Sequence, residues 1–126
     1  MSTEKTLNHH IQSFADSLDA IMQDYTADSV LFTPNGPLRG LEPIRTFFGD
    51  FLRTSPPELL RAMTLVRQDI HDEVAYIIWK AEPFIPLATD TFVVRDGKIA
   101  AQSFAVLAPS ADSAGASSGT AASSVA

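Results

Sequence analysis

Asp90 is the side chain in this sequence that is best placed for acid–base chemistry. It lies between two threonines, in a segment whose alternating apolar residues predict a β-strand. Alternate side chains of a strand share a face, so Asp90 shares one with Phe92 and Val94. If that face is the inner one, burial raises the pKa of the carboxyl, which can then donate or accept a proton near neutral pH. On the outer face, Asp90 would be an ordinary exposed aspartate.

Two adjacent histidines, His9 and His10, supply the second candidate group. They belong to a predicted N-terminal helix, and His10 lies beside its apolar face, which includes Phe14. From there His10 could face a cavity and exchange protons with Asp90, so these two are the candidate catalytic residues. The alternative is a histidine at the helix surface or the edge of the core, and His9 is expected to be exposed. Adjacent positions lack the spacing of helical metal ligands, so no metal site is predicted.

Aromatic side chains supply the candidate walls of a pocket for a small apolar ligand. The chain has eight phenylalanines, and several lie on the predicted helices and strands. Aromatic residues at helical spacing are also typical of a plain core, so Phe47, Phe48 and Phe51 could instead fill the space. The candidate ligand contacts are Phe14, Tyr25, Phe32, Phe48, Phe51, Trp79 and Phe92.

The first half of the chain is predicted to be mainly helical. The predicted elements are, in order, a helix capped by Thr3, a short helix capped by Asp16 or Ser17, a strand at Ser29–Thr33, a turn at Pro34–Pro37 and a helix between Gly40 and Ser55. The second half is predicted to be four strands, which lie at Ala62–His71, Val74–Glu82, Leu87–Arg95 and Lys98–Leu107. Helices followed by an antiparallel meander make an α+β fold rather than alternating βαβ units.

The last hairpin leaves two registers open, and the register decides which polar side chain can reach Asp90. A two-residue turn at Asp96-Gly97 places Ser103 opposite Asp90. A three-residue turn with a bulge at Gly97 places Gln102 there instead.

The composition of the chain limits which partners and which cellular compartment are expected. The chain has 126 residues, enough for one domain. Its formal net charge is -6 and its nine Lys and Arg are scattered, so neither nucleic acid nor a membrane is expected as a partner. The absence of a signal-peptide-like or membrane-spanning stretch predicts a cytoplasmic protein. The domain is expected to occupy residues 1–107, and the Ala-, Ser- and Gly-rich segment 108–126 is expected to be a disordered tail.

Three stretches of the chain resemble a known superfamily. They are residues 25–34, the Arg39-Gly40 turn with Ile44–Phe48 after it, and residues 90–99. In these stretches and in the order of its elements, the chain resembles the nuclear transport factor 2-like superfamily, in particular its SnoaL-like polyketide cyclase and ketosteroid isomerase branch. The resemblance implies a cone of three N-terminal helices packed on a strongly curved mixed or antiparallel sheet around a deep cavity. It also implies a homodimer formed through the outer sheet face.

The resemblance leaves the activity open. Asp90 matches a strand aspartate that ketosteroid isomerases use in protonated form to stabilise an oxyanion. The general base of those enzymes is an aspartate just before the proline that ends the first strand, and here Thr33 stands in that place, before Pro34. We therefore expect a cofactor-free domain that binds a carbonyl-bearing apolar compound and isomerises or cyclises it. The alternative is a non-catalytic ligand-binding or dimerisation module of the same fold.

Overall fold

The computed structural model describes residues 2–107, and the segment predicted to be a tail, 108–126, lies outside them. The helices of this part of the chain are α1 (Thr3–Ser13), α2 (Leu18–Met22), α3 (Leu41–Thr54) and α4 (Pro57–Ala62). The strands are β1 (Val30–Thr33), β2 (Gly36–Arg39), β3 (Thr64–His71), β4 (Val74–Ala81), β5 (Ile85–Arg95) and β6 (Lys98–Leu107).

The six strands form one curved, unclosed sheet in the order β2-β1-β6-β5-β4-β3. Neighbouring strands are antiparallel except β1 and β6, which run parallel and pair Val30 with Ala101. The helices pack on the inner face of this sheet. The predicted fold class, helices on a curved mixed sheet, is confirmed.

The core lies between the helices and the inner sheet face. On α3, Ile44 and Phe48 are four residues apart and therefore share one helix face, and they are 0% and 5% exposed. Leu7 of α1 and Phe92 of β5, each 1% exposed, pack into the same cluster. The helices and the sheet are thus held together by one continuous apolar cluster, and its members Phe48 and Ile77 also line the cavity.

Two short elements and one cap differ from the sequence-based expectation. The predicted turn at 34–37 is tighter, and β2 follows it at once; Pro37 is tolerated because β2 is an edge strand. The helix α4 begins at Pro57, where the sequence indicated only the end of α3, because proline is well suited to the first turn of a new helix. The cap of α1 is Ser2, not Thr3: the Ser2 hydroxyl accepts a hydrogen bond from the backbone N–H of Lys5 at 3.0 Å.

The β5–β6 hairpin combines a two-residue turn with a bulge. Arg95 pairs with Lys98, and Asp96 and Gly97 between them have φ values of 53° and 74°, as a type I′ turn requires. The register then shifts between Val93 and Val94, because β6 carries one extra residue there. Neither register considered from the sequence is therefore present.

As a result of this shift, Phe104 lies opposite Asp90, and Gln102 lies opposite Phe92. Gln102 and Phe104 are two residues apart, so both point to the inner face together with Asp90. Gln102 reaches the carboxyl diagonally rather than from directly across the ladder.

Candidate functional site

A cavity of about 690 Å³ opens between the helices and the inner face of the sheet. Residues of α1, α3, α4 and the strands β3 to β6 line it. The wall is mostly apolar, and its aromatic side chains are Phe14, Phe47, Phe48, Phe51, Trp79 and Phe104. Because the three phenylalanines of α3 line an open space, the alternative in which they fill the pocket is wrong.

Four polar side chains interrupt this apolar wall: His10, Arg61, Thr64 and Asp90. His10 and Asp90 are buried, whereas Arg61 and Thr64 are exposed and mark the rim. Arg61 is not among the residues predicted for the site, because the helix α4 that carries it is not predicted from the sequence. The wall therefore has two buried titratable groups and one cation at its edge.

Asp90 projects from the inner face of β5 and is 9% exposed. The indole Nε1–H of Trp79 donates to Oδ1 and the amide Nε2–H of Gln102 donates to Oδ2, each at 2.8 Å. Burial raises the pKa of Asp90, and the two hydrogen bonds and the nearby His10 oppose this rise without cancelling it. Asp90 is thus a carboxyl with fixed orientation and increased basicity at the wall of an apolar cavity.

Behind Asp90, a short chain of hydrogen bonds fixes the Gln102 amide. The hydroxyl of Tyr25 donates to Gln102 Oε1, which leaves Gln102 Nε2–H directed at Asp90. Burial, with the negative charges of Asp90 and Asp24, raises the pKa of Tyr25 well above its ordinary value. Tyr25 therefore remains a neutral donor, and it acts on the site through Gln102.

His10 is 3% exposed and is surrounded by aromatic rings. Its ring centroid lies 5.2 Å from that of Phe14, 5.5 Å from Phe92 and 5.6 Å from Tyr25, all with edge-to-face geometry. Its Nε2 atom is 3.5 Å from the Tyr25 hydroxyl. The sequence-based alternative of a surface histidine is therefore wrong, because the side chain points into the aromatic part of the core.

His9 is exposed, as expected from the sequence, and it binds a buried carboxylate that the sequence did not single out. The His9 Nδ1 atom lies 2.8 and 2.9 Å from the two carboxylate oxygens of Asp24. Asp24 is 5% exposed and follows Gln23, the C-cap residue of α2. No spacing in the sequence indicates this pair, because the two residues are brought together by the packing of α1 against the segment after α2.

The other predicted ligand contacts divide into three groups. Phe14, Phe48, Phe51 and Trp79 line the cavity, whereas Tyr25 and Phe92 are buried outside its lining. Phe32 was placed wrongly: it is 49% exposed and lies outside the cavity. The reason is strand alternation, since Leu31 is the β1 residue that points inward, with 0% exposure.

Thr33 brings no catalytic group to the cavity. Thr33 closes the β1–β2 turn, where its hydroxyl donates to Gly36 O at 2.8 Å and accepts from Asn35 N–H at 3.0 Å. Among residues 2–107, no three His, Asp or Glu side chains converge as metal ligands would. None of the helices in that range is long and apolar enough to cross a membrane.

Comparison with known proteins shows similarity in structure but not in sequence. No protein-family model matches the chain, and no curated protein matches its sequence. A nuclear transport factor 2-like protein of unknown function from Burkholderia xenovorans aligns with a TM-score of 0.70 at 16% identity, over 85% of this chain and 84% of that one. A SnoaL-like protein of unknown function from Burkholderia thailandensis aligns with a TM-score of 0.66 at 17% identity, over 83% and 94%.

A proposed polyketide cyclase from Sinorhizobium meliloti is also similar, with a TM-score of 0.65 at 15% identity over 79% of this chain and 93% of that one. At identities this low, the structural similarity establishes a shared fold but not a shared activity. The resemblance predicted from the sequence is confirmed at that level: the chain has the fold of the nuclear transport factor 2-like and SnoaL-like proteins.

Proposed function

We propose that the protein binds a small, largely apolar, ring-containing ketone and moves a proton on it by cofactor-free acid–base chemistry. The observation that carries this proposal is the position of Asp90, a buried carboxyl in the wall of an apolar cavity of about 690 Å³. A cavity of this size and lining accepts ring systems by burying their apolar surface. The few polar groups in the wall then select and orient the carbonyl compound.

Asp90 is the group that transfers the proton. Burial makes its carboxylate a stronger base than an exposed one, and the donors Trp79 and Gln102 hold it in one orientation. On a β,γ-unsaturated ketone, Asp90 removes the proton between the carbonyl and the double bond, and the C–H electron pair enters a conjugated enolate. Return of the proton to the γ-carbon gives the conjugated ketone. His10, in the same wall, is the second group able to hold a proton.

The bicyclic β,γ-unsaturated ketone octalone tests this function, because its conjugated isomer absorbs ultraviolet light more strongly. We expect the protein to accelerate the conversion above the rate in buffer that contains an equal concentration of free acetate. Binding is followed separately by the fluorescence of Trp79, the only tryptophan of the chain, which lies in the cavity wall. Conversion no faster than in the acetate control would contradict the acid–base proposal.

A non-catalytic binding module is the second candidate, and one observation favours it. Thr33 is held within the β1–β2 turn, so it brings neither a carboxylate nor its hydroxyl to the cavity. Both oxygens of Asp90 already accept hydrogen bonds, which is also what a purely structural carboxylate requires. A change in Trp79 fluorescence on addition of octalone, without conversion, would establish this second function.

The outer face of the sheet supports a homodimer as part of the proposal. It presents large exposed apolar side chains, namely Val74, Tyr76, Leu87 and Leu107. A second copy of this chain offers the same surface, and a two-fold contact would cover both at once.

We expect a dimer in sedimentation velocity, and a monomer after Tyr76→Lys, which puts a charge into the centre of that face. The control is Leu41→Lys on α3, equally exposed but on the helical side; a monomeric unmodified protein would contradict the proposal.

A further inference from the structure

Three titratable side chains form a continuous line from the cavity wall to the protein surface. His10 lines the cavity, and its Nδ1 atom lies 3.4 Å from Asp24 Oδ2. Asp24 also contacts His9, whose Nδ1 atom lies 2.8 Å from Oδ1 and 2.9 Å from Oδ2. The exposed fractions of the side chains rise along this line, from 4% for His10 and 7% for Asp24 to 46% for His9.

The inner end of the line has an unusual feature for a core residue. His10 Nδ1 is buried and has no hydrogen-bond partner among the described residues, although Asp24 Oδ2 lies 3.4 Å from it. Leaving a buried polar atom without a partner is destabilising, whereas a phenylalanine would pack among the same rings without that cost. Packing alone therefore does not account for an imidazole at this position, with one nitrogen 3.4 Å from a carboxylate oxygen.

The outer end of the line reaches water. His9 opens into a second, shallower cleft of about 520 Å³ on the side of α1 away from the main cavity. The charged groups that face this cleft besides Asp24 are Lys5 and Lys98, and Lys98 Nζ donates to the carbonyl oxygen of Gln23 at 2.6 Å. A proton that arrives at His9 can therefore pass directly to solvent.

We infer that His10, Asp24 and His9 form a proton relay that connects the cavity to solvent at the second cleft, which His9 lines. This inference rests on the proposed function, because it assumes that a proton is handled in the cavity. The relay matters when an apolar ligand occupies the cavity and keeps water out of its open end. Protons held in the wall can then still exchange with solvent by this second route.

Each step of the relay moves one proton and no electrons. His10 accepts a proton at Nε2, which lies 3.5 Å from the Tyr25 hydroxyl on the side of the nearby Asp90, and releases the one on Nδ1 to Asp24 Oδ2. Asp24 passes a proton on to His9 Nδ1, and His9 releases the one on Nε2 to water. The reverse sequence brings a solvent proton inward, so the groups return to their starting state without a co-reactant. His9, Asp24 and His10 are positioned for this exchange, and only His10 lines the cavity.

The competing explanation is purely structural: His9 would simply supply the hydrogen bond that the buried Asp24 carboxylate needs. The two explanations differ in one measurable quantity, the origin of the proton in the product. With an active relay, the proton removed from the ligand exchanges with solvent before it returns. Without a relay, the same proton is delivered back.

The test is the conversion of octalone in deuterium oxide, with the deuterium at the γ-carbon of the product counted by mass spectrometry. The unmodified protein is expected to give a largely deuterated product. Asp24→Asn keeps the shape but cannot carry a proton, and we expect its product to be largely undeuterated. Because this count is taken per product molecule, a general loss of activity does not change it. The matched control Asp28→Asn removes an exposed carboxylate nearby and should leave the count unchanged.

A second variant keeps the test decisive if Asp24→Asn does not fold. In His9→Ala, free imidazole added to the buffer can enter the cleft and take over the outer step, so the deuterium count should fall and then recover as imidazole is added. Equal deuterium in the unmodified protein and in either variant would overturn the relay while leaving the proposed function intact. Failure of the unmodified protein to convert octalone at all would overturn the acid–base function and the relay with it.

Discussion

Asp90→Asn is expected to slow the conversion of octalone by about 10²–10⁴-fold, the usual contribution of a general acid–base group. The amide has nearly the same shape as the carboxyl but can neither accept nor return a proton at neutral pH. It can still accept a hydrogen bond from Trp79 or Gln102, so the cavity should keep its form and Trp79 fluorescence should still report ligand binding. The expected result is therefore a large loss of rate at nearly unchanged affinity.

Asp69→Asn is the matched control for this variant. Its carboxylate is 52% exposed on β3 and pairs with Arg67, away from the cavity lining. The same chemical change there should leave the rate within about twofold, as is typical of exposed positions. An Asp90→Asn protein that converts octalone as fast as the control would remove Asp90 from the mechanism.

The Asp90→Asn protein should also differ from the unmodified protein in how its stability depends on pH. Burial raises the pKa of Asp90 from its ordinary value of 3.8, so the folded state binds this proton more tightly than the unfolded state does. The contribution of this bound proton to the free energy of unfolding is fully present below the pKa that Asp90 has in the unfolded state. It is lost as the pH rises through the pKa that Asp90 has in the folded state. The variant has no such loss, so its free energy of unfolding relative to the unmodified protein should increase with pH across that interval. Urea denaturation at a series of pH values measures this difference, and a constant difference would contradict the raised pKa.

Phe92→Ala is expected to lower the free energy of unfolding by about 3–5 kcal/mol, the usual cost of truncating a buried phenylalanine. Phe92 is 1% exposed at the centre of β5, and its ring packs against the edge of His10. The alanine would leave a space beneath His10 that the rigid sheet cannot close. Urea denaturation near neutral pH measures the loss.

Phe32→Ala provides a control with the same chemical change on the same sheet. Phe32 is 49% exposed, so its truncation should cost less than about 1 kcal/mol. Similar losses for the two variants would mean that the burial assigned to Phe92 is not what stabilises this part of the sheet.

The fold could be predicted from the sequence because its strongest signals are local. The apolar spacing of α3, the turn residues between strands and the alternation along β5 each depend on a few neighbouring residues. Alternation also placed Asp90 and Phe92 on one face, and the structure shows that this face is the inner one. Alternation alone does not specify which of two adjacent residues points inward. For this reason the sequence-based prediction places Phe32 at the cavity, whereas Leu31 is the residue that points inward.

The rest of the site depends on contacts between distant parts of the chain. Gln102 reaches Asp90 only because a bulge shifts β6, and a bulge leaves no distinct signal in this sequence. Asp24 meets His9 because two helices pack against each other, which residue spacing does not encode. Arg61 was missed for a different reason: Pro56-Pro57 indicated the end of one helix, and it is also the start of the next.

The position of β6 in the sheet has a consequence for how the protein is made. Although it is the last strand of the described chain, β6 lies between β5 and β1 and is the only strand that joins the β1–β2 hairpin to the rest of the sheet. During synthesis, the β1–β2 hairpin therefore cannot join the β3–β5 meander in one sheet until residues 98–107 have left the ribosome. Pairing between positions as distant as Val30 and Ala101 is slow to form. The part of the cavity wall that β6 supplies and the buried Asp90–Gln102 contact can therefore form only after β6 has been synthesised.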